Sequence, residues 1–356
     1  MLLAAGSIVY VRRRTRRRLL DLRLALVGFE ASGKTVFSGC MFHELRVPGR
    51  EGIFLDTTPE SASSLLALYN ATADTDAGFP VATAKGDLRE WPFSVKAKSA
   101  GGVAEVAKFS YLDFAGESLR EMSGAAPNPQ TAKLRARFAG ADVLMGVLDG
   151  LEVKHYLEGR PSPKFHEDLG SLLAVLSNHS KAVNFVLTKW DLIEDHYSFR
   201  QVIERLLQIE IFAKFVQSQE LVGTCRLIPV SSVGRGFVVE EGDEMHKKPG
   251  KQINPVRVEL PIACALPDAV IAAQNAPRNR SALMGWAKAV RVNVHLPLGI
   301  LDVGLERRRG EPTATTSPKT PMAVAQLIRY CYDRVSEFDR EFPESHLVHF
   351  TGSREG

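Results

Sequence analysis

Short apolar runs alternate with amphipathic stretches along most of this chain. Leu22–Val27 (LRLALV), Asp142–Leu148, Ala182–Leu187 (AVNFVL) and Arg226–Val230 (RLIPV) have the near-continuous apolar character of strands buried on both faces of a parallel sheet. Helical stretches fall between or beside them: Thr35–Leu45, Thr131–Phe138, Lys164–Asn178 and Ser198–Gln219. Trp91–Lys96 and Ala107–Asp113 are strand-like neighbours and predict an antiparallel hairpin. The alternation predicts an α/β fold in three layers. Its sheet is mostly parallel, with helices on both faces and one antiparallel edge hairpin. Right-handed crossovers then bring the loops that follow the strands to one carboxyl edge, where ligands of such sheets bind.

Thr57 and Thr58 precede Pro59 and Glu60 and predict a helix N-cap opening the periodic stretch Glu60–Tyr69. Beyond residue 233 the pattern loosens. Glu240–Gln252 (EEGDEMHKKPGKQ) reads as a polar mobile loop, and Val258–Ala273 as a last helix interrupted by Pro261 and Pro267. Arg307–Pro321 is rich in Pro and Thr and reads as disordered. From Pro321 to Phe342 the residues Val324, Leu327, Ile328, Cys331, Val335 and Phe338 recur at helical spacing and predict an amphipathic helix packed on the domain. The resulting division is an N-terminal segment 1–20, a nucleotide-binding domain 21–275, a linker 276–321, and a C-terminal helix and tail 322–356.

Charge changes the picture at one place. The formal net charge of +4 includes the six arginines at positions 12–14 and 16–18, so the remainder carries −2. Ahead of them Met1–Val11 is apolar, the reverse of the order in a secretory signal. Eleven residues reach about 16 Å as a helix, half a bilayer core. Residues 1–18 are therefore expected to meet a membrane surface, either as the cytoplasmic end of a longer helix or as an interfacial anchor. The expected location is cytoplasmic, at the inner face of the membrane, and no specific nucleic-acid partner is expected. The cysteines, Cys40, Cys225, Cys264 and Cys331, form no CxxC pair, and the nine histidines no ligand spacing, so neither a disulfide framework nor a transition-metal site is predicted.

The chemistry concentrates after the first strand. Gly28-Phe29-Glu30-Ala31-Ser32-Gly33-Lys34-Thr35 matches GxxxxGK[ST] between a predicted strand and a predicted helix, the context of a phosphate loop. Gly28 and Gly33 let the backbone curl so that N–H groups of Glu30, Ala31, Ser32 and the following turn to Val36 face a phosphate. The helix N-terminus adds partial positive charge. Lys34 would reach the outer phosphates and the Thr35 hydroxyl would ligate Mg²⁺. Downstream, Asp113-Phe114-Ala115-Gly116 is a DxxG element at a strand's end. There Asp113 would hold Mg²⁺ through water and Gly116 would offer its N–H to the γ-phosphate.

The order GFEASGKT, DFAGE, TKWD, SSV resembles the translation-factor-related and Ras-like class of P-loop GTPases over about residues 20–235, and within it bacterial double-GTPase-type proteins. The basic stretch ahead of the loop is also similar to the β subunit of the signal-recognition-particle receptor. The resemblance implies the P-loop NTPase fold and GTP or GDP with Mg²⁺ as ligands. It implies that Thr188, Lys189 and Asp191 (TKWD) read guanine, with the Asp191 carboxylate accepting from the base and the Lys189 stem over its face. Thr188, where the class has Asn, keeps a hydroxyl to tie this loop to the phosphate loop. Ser231, Ser232 and Val233 correspond to the loop whose backbone contacts the guanine oxygen. Thr83 is the expected switch threonine on the γ-phosphate and Mg²⁺, chosen over Thr57 and Thr58. Glu117 stands where the class carries a water-orienting Gln; its charge implies slow hydrolysis, or dependence on an activating partner. With Lys34 and Thr83 it completes the expected catalytic set. The implied function is a membrane-associated switch read by an effector; a GTP-loaded scaffold that does not hydrolyse is the alternative. An ATP-dependent kinase or transporter subunit would leave TKWD unexplained.

Overall fold

The computed structural model describes residues 20–80, 88–100, 102–114, 119, 121–122, 129–179, 181–242, 244–275 and 319–352. The N-terminal segment to residue 19, Thr83, Gly116, Glu117 and most of the linker lie outside the described residues. Seven strands form one sheet in the order β2-β3-β4-β1-β5-β6-β7. They are β1 (Leu20–Val27), β2 (Ile53–Thr57), β3 (Leu88–Ser99), β4 (Gly102–Phe114), β5 (Val143–Leu148), β6 (Ala182–Leu187) and β7 (Leu227–Pro229). β4, β1, β5, β6 and β7 pair in parallel, and β3 runs against both its neighbours.

The expected hairpin is present as β3 and β4, but it is not the edge of the sheet. β2 pairs outside it, from Ile53↔Ala97 to Thr57↔Phe93. Thr58 does cap the following helix α2 (Pro59–Ala73), its Oγ accepting from the Ser61 N–H at 3.2 Å. The strand was hidden because its last residue abuts that cap and only Ile53 and Leu55 are buried.

The central strands alternate between two cores with period two. Leu22, Leu24 and Leu26 of β1, with Val143, Met145 and Val147 of β5, face one core; Ala25, Val27, Leu144 and Leu148 face the other. The first core is closed by α1 (Lys34–Leu45), α2, α8 (Leu260–Asn275) and α9 (Lys319–Glu341). The second is closed by α3 (Pro129–Gly140), α4 (Gly150–Leu157), α5 (Phe165–Ser177), α6 (Phe199–Leu206), α7 (Glu210–Ser218) and α10 (Leu347–Gly352). Helices thus cover both faces of the sheet.

Several local expectations change. Ser198–Gln219 is two helices, because the chain turns at Leu207–Ile209, with Ile209 in extended geometry. That turn lets Leu206, Ile209, Phe212 and Phe215 enter one core. Glu240–Gln252 contains a two-stranded hairpin, β8 (Val238–Glu241) and β9 (Glu244–Lys247), in place of the expected loop. α8 runs through Pro267; an interior proline costs about 3 kcal/mol, offset by burial of Cys264, Ala265, Leu266, Ala269 and Ala272. α9 buries Val324, Leu327, Cys331, Val335 and Phe338, as its periodicity predicts, and packs against β2, β3, β4 and α8.

Candidate functional site

β1 ends at Val27, in register with Gly146 of β5; β5 and β6 end together at Leu148↔Leu187, and Leu187 pairs with Pro229 of β7. The loops after β1, β6 and β7 therefore leave the sheet along one edge, and a cleft of about 280 Å³ lies among them. It is lined by Glu30, Ala31, Ser32, Gly33, Lys34, Thr35 and Val36 from the first loop, by Thr188, Lys189 and Asp191 from the second, and by Ser232 and Val233 from the third. Gly28 and Ser231 are not among the lining residues.

The first loop is shaped by residues that tolerate its backbone. A Cβ on Gly28 would lie 2.8 Å from the Val147 Cβ, so only glycine lets the loop leave the strand here. Ala31 and Gly33 have φ of 61° and 86°, the left-handed region that glycine enters freely. Gly33 caps α1 without a side-chain hydrogen bond, and the first turn of α1 carries no acidic residue. The N-terminal dipole of α1 thus faces the cleft uncompensated by a carboxylate of its own first turn. Lys34 is only 6% exposed; its Nζ donates to the Gly28 and Phe29 carbonyls at 2.7 and 2.6 Å.

The second loop is tied to the first. The Thr188 hydroxyl donates to the Ser32 carbonyl at 2.8 Å and lies 3.1 Å from that of Leu148. The expected tether between the loops is therefore formed by a hydroxyl. Lys189 adopts φ 52°, and its ammonium pairs with Asp149, the residue that follows β5. Trp190 is buried against Phe199 and fixes the turn in the second core. Asp191 is 9% exposed and accepts from the Ser231 hydroxyl at 2.5 Å; that oxygen also accepts from the Gly234 N–H at 2.8 Å. Burial pushes the Asp191 carboxyl up to about 6, while the Ser231 bond works against the rise. The carboxylate form still prevails at neutral pH.

Asp113 is the penultimate residue of β4, in register with Arg89, at the same carboxyl edge. No group of three His, Cys, Asp or Glu side chains suited to hold a metal occurs among the described residues. Among them, too, no helix is long and apolar enough to cross a membrane.

Four lining residues escaped the sequence: Phe79, Pro80, Val238 and Met245. Phe79 and Pro80 precede in sequence the segment that holds Thr83, which lies outside the described residues. Val238 and Met245 come from the β8–β9 hairpin, whose polar composition gave no hint of a wall. Two charged anchors hold that hairpin. Lys247 donates to the carbonyls of Ala71, Asp74 and Gly78 at 2.7, 2.8 and 3.0 Å and sits 4.9 Å from the Phe79 ring centroid. At the other end Glu240 meets Lys154, with His155 Nε2 and Arg160 Nη2 each at 2.8 Å. Burial opposes the Glu240 charge, but these donors outweigh it and bring the carboxyl down to about 2.

A depressed carboxyl stabilises the fold fully above its ordinary value of 4.5, and the contribution is lost as pH falls toward 2. Glu240→Gln should speed amide exchange across Val238–Lys247 by roughly tenfold at neutral pH, as loss of a charge-assisted anchor implies. It should also remove the pH dependence of protection there, measured against the intrinsic exchange rate at each pH, between these limits. Equal protection in the two proteins would refute the anchoring role.

No family model matches the chain, and a search of curated proteins finds no relative.

Proposed function

We propose that this chain is a P-loop GTPase-type protein that binds GTP or GDP with Mg²⁺ in the cleft at the sheet's carboxyl edge. The observation that carries the reading is that Lys34 and Asp191, far apart in sequence, line one cleft. A lysine at a helix N-terminus suits a phosphate chain. A buried carboxylate with raised pKa suits a base that presents N–H donors, and adenine presents none in that arrangement. The Gly28 cradle and the Thr188 tether fit the same ligand, since each brings backbone close to where phosphates and base would meet.

In this reading Gly28–Val36 hold the phosphates, Thr35 and Asp113 serve Mg²⁺, and Thr188, Lys189, Asp191 and Ser231–Val233 surround the base. The metal would neutralise charge on the phosphates. The chain's own residues position the ligand: Lys34 fixes the loop through its carbonyl bonds, and Thr188 sets the distance between phosphate and base subsites. Hydrolysis is slow or partner-dependent, and the apolar–basic segment 1–18 brings the protein to the inner membrane surface as a nucleotide-dependent switch. A second reading, a GTP-loaded scaffold that does not turn over, is favoured by one observation: residue 117 is Glu. An acidic side chain there repels phosphate oxygens and cannot donate to them.

Titration of GTP against ATP in the presence of Mg²⁺ tests the binding function. Guanine preference of at least tenfold is expected, since a base donor missing from a polar site costs well over 1.4 kcal/mol. Equal affinity for the two nucleotides would refute the reading. Single-turnover phosphate release with and without an activating partner separates switch from scaffold.

A further inference from the structure

Asp149 was not predicted as a site residue, yet it underlies the loop proposed to read the base. It is the first residue after β5. Its carboxylate caps α4, accepting from the Leu151 N–H at 2.9 Å, and takes the Lys189 ammonium on both oxygens at 2.7 and 2.8 Å. Both side chains of the pair are largely buried, 13% exposed for Lys189 and 16% for Asp149. The next residue is Gly150, where a Cβ would stand 2.0 Å from the Thr188 carbonyl oxygen. Asp149 and Gly150 thus form a floor directly beneath Thr188 and Lys189, and the floor has no room for a side chain at its second position.

Lys189 and Asp191 lie two residues apart in one tight turn, with opposite charges. In a partly dry cleft an ammonium seeks the nearest carboxylate, and a carboxylate so neutralised is a poorer acceptor for a base. Asp149, which is not among the residues lining the cleft, removes that competition by taking the ammonium.

Building on the guanine-binding reading above, we propose that Asp149 is a positioning residue for base specificity: it holds the Lys189 ammonium so that the lysine stem stays extended in the cleft and the Asp191 carboxylate stays available to the base. The phosphate subsite is built from other residues, so the effect of Asp149 falls on the base and not on the phosphates.

The test measures GDP and ADP affinity of the full chain with Mg²⁺, for wild type and Asp149→Asn. Asparagine keeps the volume and an oxygen to cap α4, and loses the charge. GDP affinity should fall about 10- to 100-fold, the range for losing a charge-assisted bond. ADP affinity should change by less than about threefold. Lys189→Met removes the competing ammonium altogether, so adding Asp149→Asn to it should cost less than about threefold in GDP affinity, because the two side chains act as one unit. Should Asp149→Asn not fold, Asp149→Ser supplies an alternative cap without charge. Wild-type-like GDP affinity, a parallel loss for both nucleotides, or additive losses in the double variant would each overturn the inference. A wild type without guanine preference would instead overturn the binding function itself.

Discussion

Asp191→Asn should weaken GTP binding roughly 10- to 100-fold and at the same time make the nucleotide-free protein more stable at pH 7. Both effects follow from one environment. Burial raises the Asp191 carboxyl from 3.8 to about 6. Between those values the folded protein binds more protons than the unfolded chain, so stability falls as pH rises through that window. At neutral pH the empty protein carries the whole cost of a buried anion, about 3 kcal/mol. Asparagine keeps an acceptor for the Ser231 hydroxyl and removes that cost, but it offers a base with two donors only one neutral oxygen. Its amide would instead suit a base carrying a carbonyl at the same place, so preference should move toward xanthosine nucleotides. Wild-type GTP affinity should also decline as pH falls below about 6, and the variant's should not. Calorimetric titration over pH with thermal melts of the empty proteins reads all of this. Unchanged GTP affinity sinks the base-reading role; a weaker binder that also melts earlier shows that Asp191 matters only for folding.

The parts of the site that were legible in the sequence are those where backbone geometry restricts residue type. Gly28 has no room for a Cβ against Val147, Gly33 sits at positive φ, and Lys34 must follow it to reach back over the loop. The long helix α9 was legible because Val324, Leu327, Cys331, Val335 and Phe338 repeat with its pitch and all face one core. What was not legible depends on contacts across the fold. Asp149 signals nothing in sequence except an acidic residue between a strand and a glycine; its role comes from Lys189, which only the β5–β6 pairing brings near. The β8–β9 hairpin is anchored by Glu240 and Lys247 to helices formed much earlier in the chain. Such charges read as solvated until their partners are placed. β2 is too short, and too close to the Thr58 cap, for a period-two pattern to register.

Asp268→Ala should destabilise the fold by about 3–5 kcal/mol, the cost of stripping one partner from a buried charge pair. Asp268 is fully buried on α8. Its Oδ1 accepts from Arg226 Nε at 3.2 Å and the Thr224 hydroxyl at 3.0 Å, and its Oδ2 from Asn184 Nδ2 at 2.8 Å. Asn184 in turn accepts from the Arg226 N–H at 3.0 Å, and Arg226 reaches Asp339 of α9 at 2.6 Å. One carboxylate therefore joins β6, the start of β7, α8 and, through Arg226, the C-terminal helix. Burial alone would disfavour the Arg226 charge, but the Asp268 and Asp339 carboxylates outweigh it and raise its pKa further. A guanidinium cannot escape the penalty by losing its proton, so alanine at 268 leaves it buried with one counter-ion fewer. The melting temperature should drop by about 5 °C in a chain of this size, and amides of α9 should exchange faster, because Arg226 ties that helix to the start of β7 through Asp339. Replacing the exposed Asp333 on α9 provides the comparison, with an expected change within about 0.5 kcal/mol. Equal melting of the two variants would show that the network is not what holds the C-terminal helix to the sheet.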